Sequence, residues 1–75
     1  MAYEPIIRLL VINTETLEVE GCNFTRAAEI TGHTFHGSAF PYRVGNYIVT
    51  LYNRTAKPPK QIKPAHLRVL LSRCG

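Results

Sequence analysis

The length of the chain is the feature that most limits its fold. A chain of 75 residues buries only about 60% of the surface that it exposes when unfolded, so it has room for one hydrophobic core. Hydrophobic residues make up 45% of the sequence and charged residues 19%, which is ordinary for a folded globular protein and not typical of a disordered one. We therefore expect residues 1–75 to form a single small domain.

Apolar runs of strand length predict the sheet. The run 6–12 is rich in β-branched and aliphatic residues, residues 13–16 are turn-forming, and residues 17–20 alternate strictly between apolar and acidic side chains. These first twenty residues are expected to form a β-hairpin. The run 42–52 is the next strand, and because it is apolar on both faces we expect it to lie beside the strand 6–12.

A capped helix is predicted between these strands. Asn23 is a favourable N-cap, residues 24–31 supply the helical body with its Ala-Ala pair, and Gly32 follows where a left-handed residue closes many helices. The stretch 33–41 contains a glycine and ends on a proline, so it is predicted to be a loop or a short helical turn.

A second helix is predicted at the C-terminus. Between residues 65 and 74, Leu67, Leu70, Leu71 and Cys74 recur at helical spacing, and Pro64 occupies the favoured first turn. Because apolar residues also alternate over 67–71, a strand is the alternative prediction for this segment. The segment 55–64 contains three prolines and no apolar periodicity, so we expect an extended basic connector. The predicted fold is an α+β domain of ββαβα order, with a three-stranded antiparallel sheet packed by two short helices.

Charge divides the chain into two unlike parts. Residues 1–32 hold all five acidic residues and two arginines, a net charge of −3, whereas residues 33–75 hold seven basic residues and no acid, a net charge of +7. The seven basic residues are Arg43, Arg54, Lys57, Lys60, Lys63, Arg68 and Arg73. This asymmetry predicts a basic surface for an anionic partner, either a nucleic acid or an acidic protein surface. Mutual neutralisation of the two parts in the fold, or a role in solubility alone, is the alternative.

Three of these lysines have a regular spacing. Lys57, Lys60 and Lys63 repeat every three residues, and a polyproline II helix has three residues per turn. They would line one edge at intervals of roughly 9 Å, from a rise of about 3.1 Å per residue. Flexible lysines at that interval suit a phosphate backbone, so the connector is predicted to contact nucleic-acid phosphates. Keeping an exposed connector soluble is the alternative role.

Catalytic and metal chemistry is poorly represented. The chain has no aspartate and no glutamate beyond residue 29, so convergent carboxylates for hydrolysis are missing and we expect no enzyme activity. Cys22, His33 and His36, with Cys74 or His66, are candidate metal ligands, but their spacing fits no standard zinc pattern. We therefore expect no metal and no cofactor.

The sequence also bears on location. The N-terminus lacks the basic and long apolar segments of a secretory signal, and the apolar run 6–12 is too short to span a bilayer. Two cysteines in such a chain are expected to be reduced thiols. We expect a cytoplasmic protein with no membrane contact.

A resemblance covers residues 17–49. The segment Asn23–Gly32, preceded by a short hairpin and followed by Gly45-Asn46-Tyr47-Ile48-Val49, resembles the small modular DNA-binding repeats attached to homing endonucleases. Those modules combine a strand, a capped helix with an Ala-Ala pair closed by glycine, a second helix and a Gly-Gly-Tyr strand. The resemblance implies DNA contact by a second helix, over residues 33–42.

Two functions are compatible with these patterns. The first is a small non-enzymatic module whose basic C-terminal half contacts nucleic-acid phosphates, which alone would make binding tolerant of sequence. The second is a protein-protein inhibitor or adaptor, of the kind that small viral accessory proteins often are, covering an acidic surface on a host enzyme. The sequence leaves the oligomeric state open.

Overall fold

The computed structural model describes residues 7–35, 37–52 and 57–74, and it has two helices and four strands within them. The elements are β1 (Leu9–Asn13), β2 (Val19–Cys22), α1 (Phe24–Thr31), β3 (Tyr42–Val44), β4 (Tyr47–Leu51) and α2 (Pro64–Arg73). The α+β class with two helices is confirmed. The predicted three-stranded sheet and ββαβα order are wrong, because the order is ββαββα and the sheet has four strands.

The additional strand arises because the run 42–52 folds into a hairpin. β3 pairs antiparallel with β4, and Val44 lies opposite Tyr47, which leaves Gly45 and Asn46 as a two-residue loop. Gly45 has a φ of 56°, a conformation that a tight hairpin turn of this length requires and that glycine adopts without strain.

The sheet has the strand order β2-β1-β4-β3, and every neighbouring pair is antiparallel. β4 lies directly beside β1, as predicted. Because successive side chains of a strand point to opposite faces, Leu9 and Val11 project to one side of the sheet and Leu10 and Ile12 to the other. We call these sides the α1 face and the α2 face after the helix that packs on each.

On the α1 face, helix α1 covers a core of Leu9, Val11, Cys22, Ala27, Phe35 and Val49. The helix begins and ends where its sequence predicts. The Asn23 side chain accepts a hydrogen bond from the Arg26 N–H at 2.9 Å, and Gly32 closes the helix with a φ of 72°.

On the α2 face, helix α2 covers a second core of Ile12, Ile48, Ile62, Leu67 and Leu70. The helical interpretation of the C-terminal segment is confirmed, and the strand alternative is wrong. Leu71 is 36% exposed, so the buried stripe of α2 is narrower than its sequence predicts.

The connector is anchored to the sheet by backbone hydrogen bonds. The Val19 N–H donates to the Lys60 carbonyl and the Ile62 N–H donates to the Leu17 carbonyl, each at 2.9 Å, with Gln61 lying opposite Glu18. The described part of the connector therefore pairs with residues 17–19, at the start of the outer edge of β2. It also bends at Lys60, so a uniform polyproline II segment is not what forms over residues 57–63.

Neither helix reaches the length and apolar character that a bilayer crossing would require in the described part of the chain.

Candidate functional site

Charged side chains are distributed unequally between the two faces of the sheet. Glu20 lies opposite Val11 and so projects to the α1 face, where its carboxylate pairs with the Arg26 guanidinium at 2.9 Å. Arg26 also contacts Glu29 at 3.3 Å within α1. Hydrogen bonds to Glu20 and then to Glu29 raise the pKa of Arg26 above its ordinary value. On the α1 face, this cation is therefore paired with two carboxylates, and the three groups together carry one net negative charge.

The α2 face carries most of the predicted basic residues. Lys57, Lys60 and Lys63 belong to the connector, Arg68 and Arg73 to α2, and Arg43 projects to the same face because it lies opposite Ile48. All six are exposed. Within the described ranges, no ion pair involves any of them. The seventh predicted residue, Arg54, lies outside the described residues.

The six residues share a face without forming one cluster. Along α2, Arg73 lies two turns from His66 on the same side of the helix, whereas Arg68 lies on the opposite flank of the buried Leu70. Arg73 also occupies the last turn of α2, where the helix dipole favours a cation. The basic surface is therefore spread across the face.

A further basic residue joins this face. The Tyr52 N–H donates to the Arg8 carbonyl at 2.8 Å, and the Arg8 N–H donates to the Cys22 carbonyl at 3.2 Å, so the strand pairing continues one residue before β1. Alternation then places the Arg8 side chain on the α2 face with Leu10 and Ile12. That period of two is readable from the sequence, in which Arg8 lies two residues before Leu10.

Helix α2 covers only one end of the central strands. Ile12 and Ile48 are buried beneath it, whereas Leu10 and Thr50, one step along the same face, are only partly buried. The uncovered end is the floor of a groove with a volume of about 300 Å³. Its lining residues include Leu10, Thr50, Tyr52, Pro59, His66 and Leu70. The term "groove" refers to these six residues below.

Three basic residues lie next to residues of the groove, across the strand pairing or along the chain. Arg8 lies directly opposite Tyr52 in the continued pairing, and side chains in that relation have Cβ atoms about 5 Å apart. Lys60 follows Pro59 along the connector, and Arg73 continues the helix side that begins at His66. An apolar floor thus has cations on the neighbouring strand, connector and helix, and we call Arg8, Lys60 and Arg73 the basic rim.

The candidate metal ligands have other environments. No group of three or more potential ligands lies together among the described residues. The His33 ring stacks on Tyr42 with centroids 4.6 Å apart and packs edge-on against Phe35 at 4.9 Å. Cys22 is buried in the first core, and burial, with a smaller contribution from Glu20, raises its pKa to about 11. His36 lies outside the described residues.

Comparison with protein families, with curated proteins and with solved structures finds no match to this chain. The resemblance to the modules of homing endonucleases therefore stays a prediction from the sequence of residues 17–49. The second helix that it implies is not formed at residues 33–35 or 37–41, where the chain is irregular and Phe35 is buried in the first core.

Proposed function

We propose that the protein is a small non-enzymatic module that binds nucleic-acid phosphates through the basic residues of its α2 face. The separation of charge between the two faces supports this proposal. Arg26 on the α1 face has two carboxylate partners, whereas no described carboxylate lies within ion-pairing distance of Lys57, Lys60 or Lys63. Mutual neutralisation inside the fold would instead have brought acids to these cations.

The exposed cations suit a phosphate backbone for a physical reason. Surface ion pairs contribute little to folding, so cations left unpaired on one face have a small cost to the fold and keep their full charge for a ligand. Each phosphate that they neutralise releases condensed counterions, which favours association and makes it depend on salt. The contacts on this face would be Arg43, Lys57, Lys60, Lys63, Arg68 and Arg73; Arg54, which is also expected from the sequence, lies outside the described residues.

The connector lysines provide the test. If Lys57, Lys60 and Lys63 each neutralise one phosphate, the three together contribute about −2.7 to the slope of log affinity against log salt, at about −0.9 per contact on duplex DNA. The triple alanine variant should lose that part of the slope with little change in stability. Arg26→Gln is the matched control, since it removes a cation of the α1 face and should leave the slope unchanged.

The outcomes separate the hypotheses. Absence of any wild-type binding to duplex or single-stranded DNA at low salt would refute the nucleic-acid function. Binding with an unchanged slope in the triple variant would move the contacts to Arg43, Arg54, Arg68 and Arg73. The measurement is fluorescence anisotropy of labelled DNA from low to physiological salt.

An inhibitor or adaptor of an acidic protein surface is the second candidate, and one observation favours it. Val69 is 44% exposed and Leu71 is 36% exposed on α2, close in sequence to Arg68. Apolar side chains next to arginine are typical of protein interfaces. This hypothesis predicts no appreciable DNA affinity at moderate salt, and loss of partner binding in Arg68→Ala.

A further inference from the structure

The groove on the α2 face has the chemistry of a site for a flat, mainly apolar group. Its volume of about 300 Å³ lies at the lower end of the range for small-ligand pockets. Leu10, Pro59 and Leu70 supply apolar surface, while Tyr52 and His66 supply rings and polar atoms. Such a lining stacks on an aromatic ring and orients it through a few hydrogen bonds.

The charges around the groove narrow the choice of ligand. Arg8 lies beside Tyr52, Lys60 follows Pro59 and Arg73 shares a helix side with His66. No described carboxylate lines the groove. A ligand that fits this arrangement carries a flat ring attached to an anionic chain, with the ring in the groove and the chain along the basic rim.

A single nucleic-acid strand has that construction. Its bases are unstacked and can insert against aromatic side chains, whereas the bases of a duplex are stacked and paired inside the helix. We propose that the groove receives one unpaired base of single-stranded nucleic acid, stacked against Tyr52, while phosphates on either side contact the basic rim. This inference rests on the proposed phosphate-binding function and adds the form of nucleic acid that the site takes.

Three ligands test the inference on the wild-type protein. The first is a labelled mixed-sequence strand of about 10 nucleotides, a length within the range that one small single-strand-binding domain covers. The second is the same strand with its central nucleotides abasic, and the third is the corresponding duplex. The abasic strand keeps every phosphate and removes only the rings, so it should bind about 5- to 100-fold more weakly than the intact strand. The intact strand should also bind more tightly than the duplex.

Two variants in the same strand region locate the effect. Tyr52→Leu removes the ring from the groove and should weaken binding of the intact strand about 5- to 100-fold, with no change in the salt slope and none in binding of the abasic strand. Tyr47→Leu is the matched control, since Tyr47 lies on the α1 face against the first core. Its affinity for the single strand should equal that of the wild type. Circular dichroism checks the folding of both variants.

The failures of the two proposals are distinguishable. Equal wild-type affinity for the intact and abasic strands refutes base insertion and leaves phosphate binding standing, whether or not Tyr52→Leu folds. Equal losses of affinity for the intact strand in Tyr52→Leu and Tyr47→Leu would mean that both changes act by disturbing the fold. That result also refutes a role for the groove. Absence of binding to every form of DNA at low salt refutes the phosphate-binding function itself, and with it this inference.

Discussion

Replacing a buried leucine on each face of the sheet should destabilise the protein by different amounts. Leucine-to-alanine changes in cores cost about 2–5 kcal/mol, and the cost rises with the volume of the cavity left behind. Leu70 is 9% exposed and borders the open groove, so the space created by Leu70→Ala joins the groove and admits water. Leu9 is 0% exposed within the first core. We expect about 2–3 kcal/mol for Leu70→Ala and about 3–5 kcal/mol for Leu9→Ala.

Urea denaturation followed by circular dichroism measures both values. A domain of this size has a free energy of unfolding of roughly 4–11 kcal/mol, so Leu70→Ala should remain folded in water. With a slope of about 1 kcal/mol per molar urea, its midpoint should fall by about 2–3 M. A loss in Leu70→Ala that equals or exceeds the loss in Leu9→Ala would refute the argument from the open groove, and wild-type stability would show that α2 does not pack on the sheet through Leu70.

Two further predictions concern β2. A Cβ atom at Gly21 would lie 2.8 Å from Pro58 Cγ, so Gly21→Ala should displace the connector. We expect this variant to lose about 1–3 kcal/mol of unfolding free energy. Urea denaturation that shows equal or greater stability would contradict the close packing. The pKa of Cys22 is raised from 9.0 to about 11, so the unfolded thiol ionises first and stability should decline as pH rises from about 9 towards 11. Cys22→Ala should lack that part of the decline in pH-dependent unfolding, and an identical pH profile for the two proteins would refute it.

Helix α1 could be predicted to the residue because its signals are local. An asparagine side chain at position 23 satisfies a free backbone N–H, and a glycine at position 32 adopts the left-handed conformation that ends the helix. Neither depends on the remainder of the chain. The strand boundaries were less accurate, because β1 begins at Leu9 and Leu17 adopts a φ of 66° where a strand was predicted.

The missed hairpin had a local signal that the hydrophobic pattern concealed. Residues 42–52 are apolar enough to be interpreted as one long strand, yet Gly45-Asn46 is a two-residue turn sequence. Because the turn reverses the chain there, Tyr42 lies opposite Val49 and the sheet gains an edge strand.

Of the candidate site, only the basic residues could be predicted from the sequence. Exposure of the basic residues follows from the cost of burying lysine and arginine, and their face could be inferred in part from alternation. The groove could not be predicted, since it depends on which end of β1 and β4 is left uncovered by α2. The pairing of Lys60 with Val19 and of Ile62 with Leu17 is equally non-local, because it joins segments about forty residues apart in the sequence.

The anchored connector has a consequence for self-association. It pairs with the start of the outer edge of β2, so β3 is the edge without any such partner among the described residues. A sheet that is open on one side can add a single further strand, but it cannot polymerise, since continuous growth needs a free edge on both sides. Symmetric pairing of two β3 strands centred on Arg43 would also bring two guanidinium groups together, which is repulsive. The connector thus opposes growth of the native sheet where it pairs along the β2 edge.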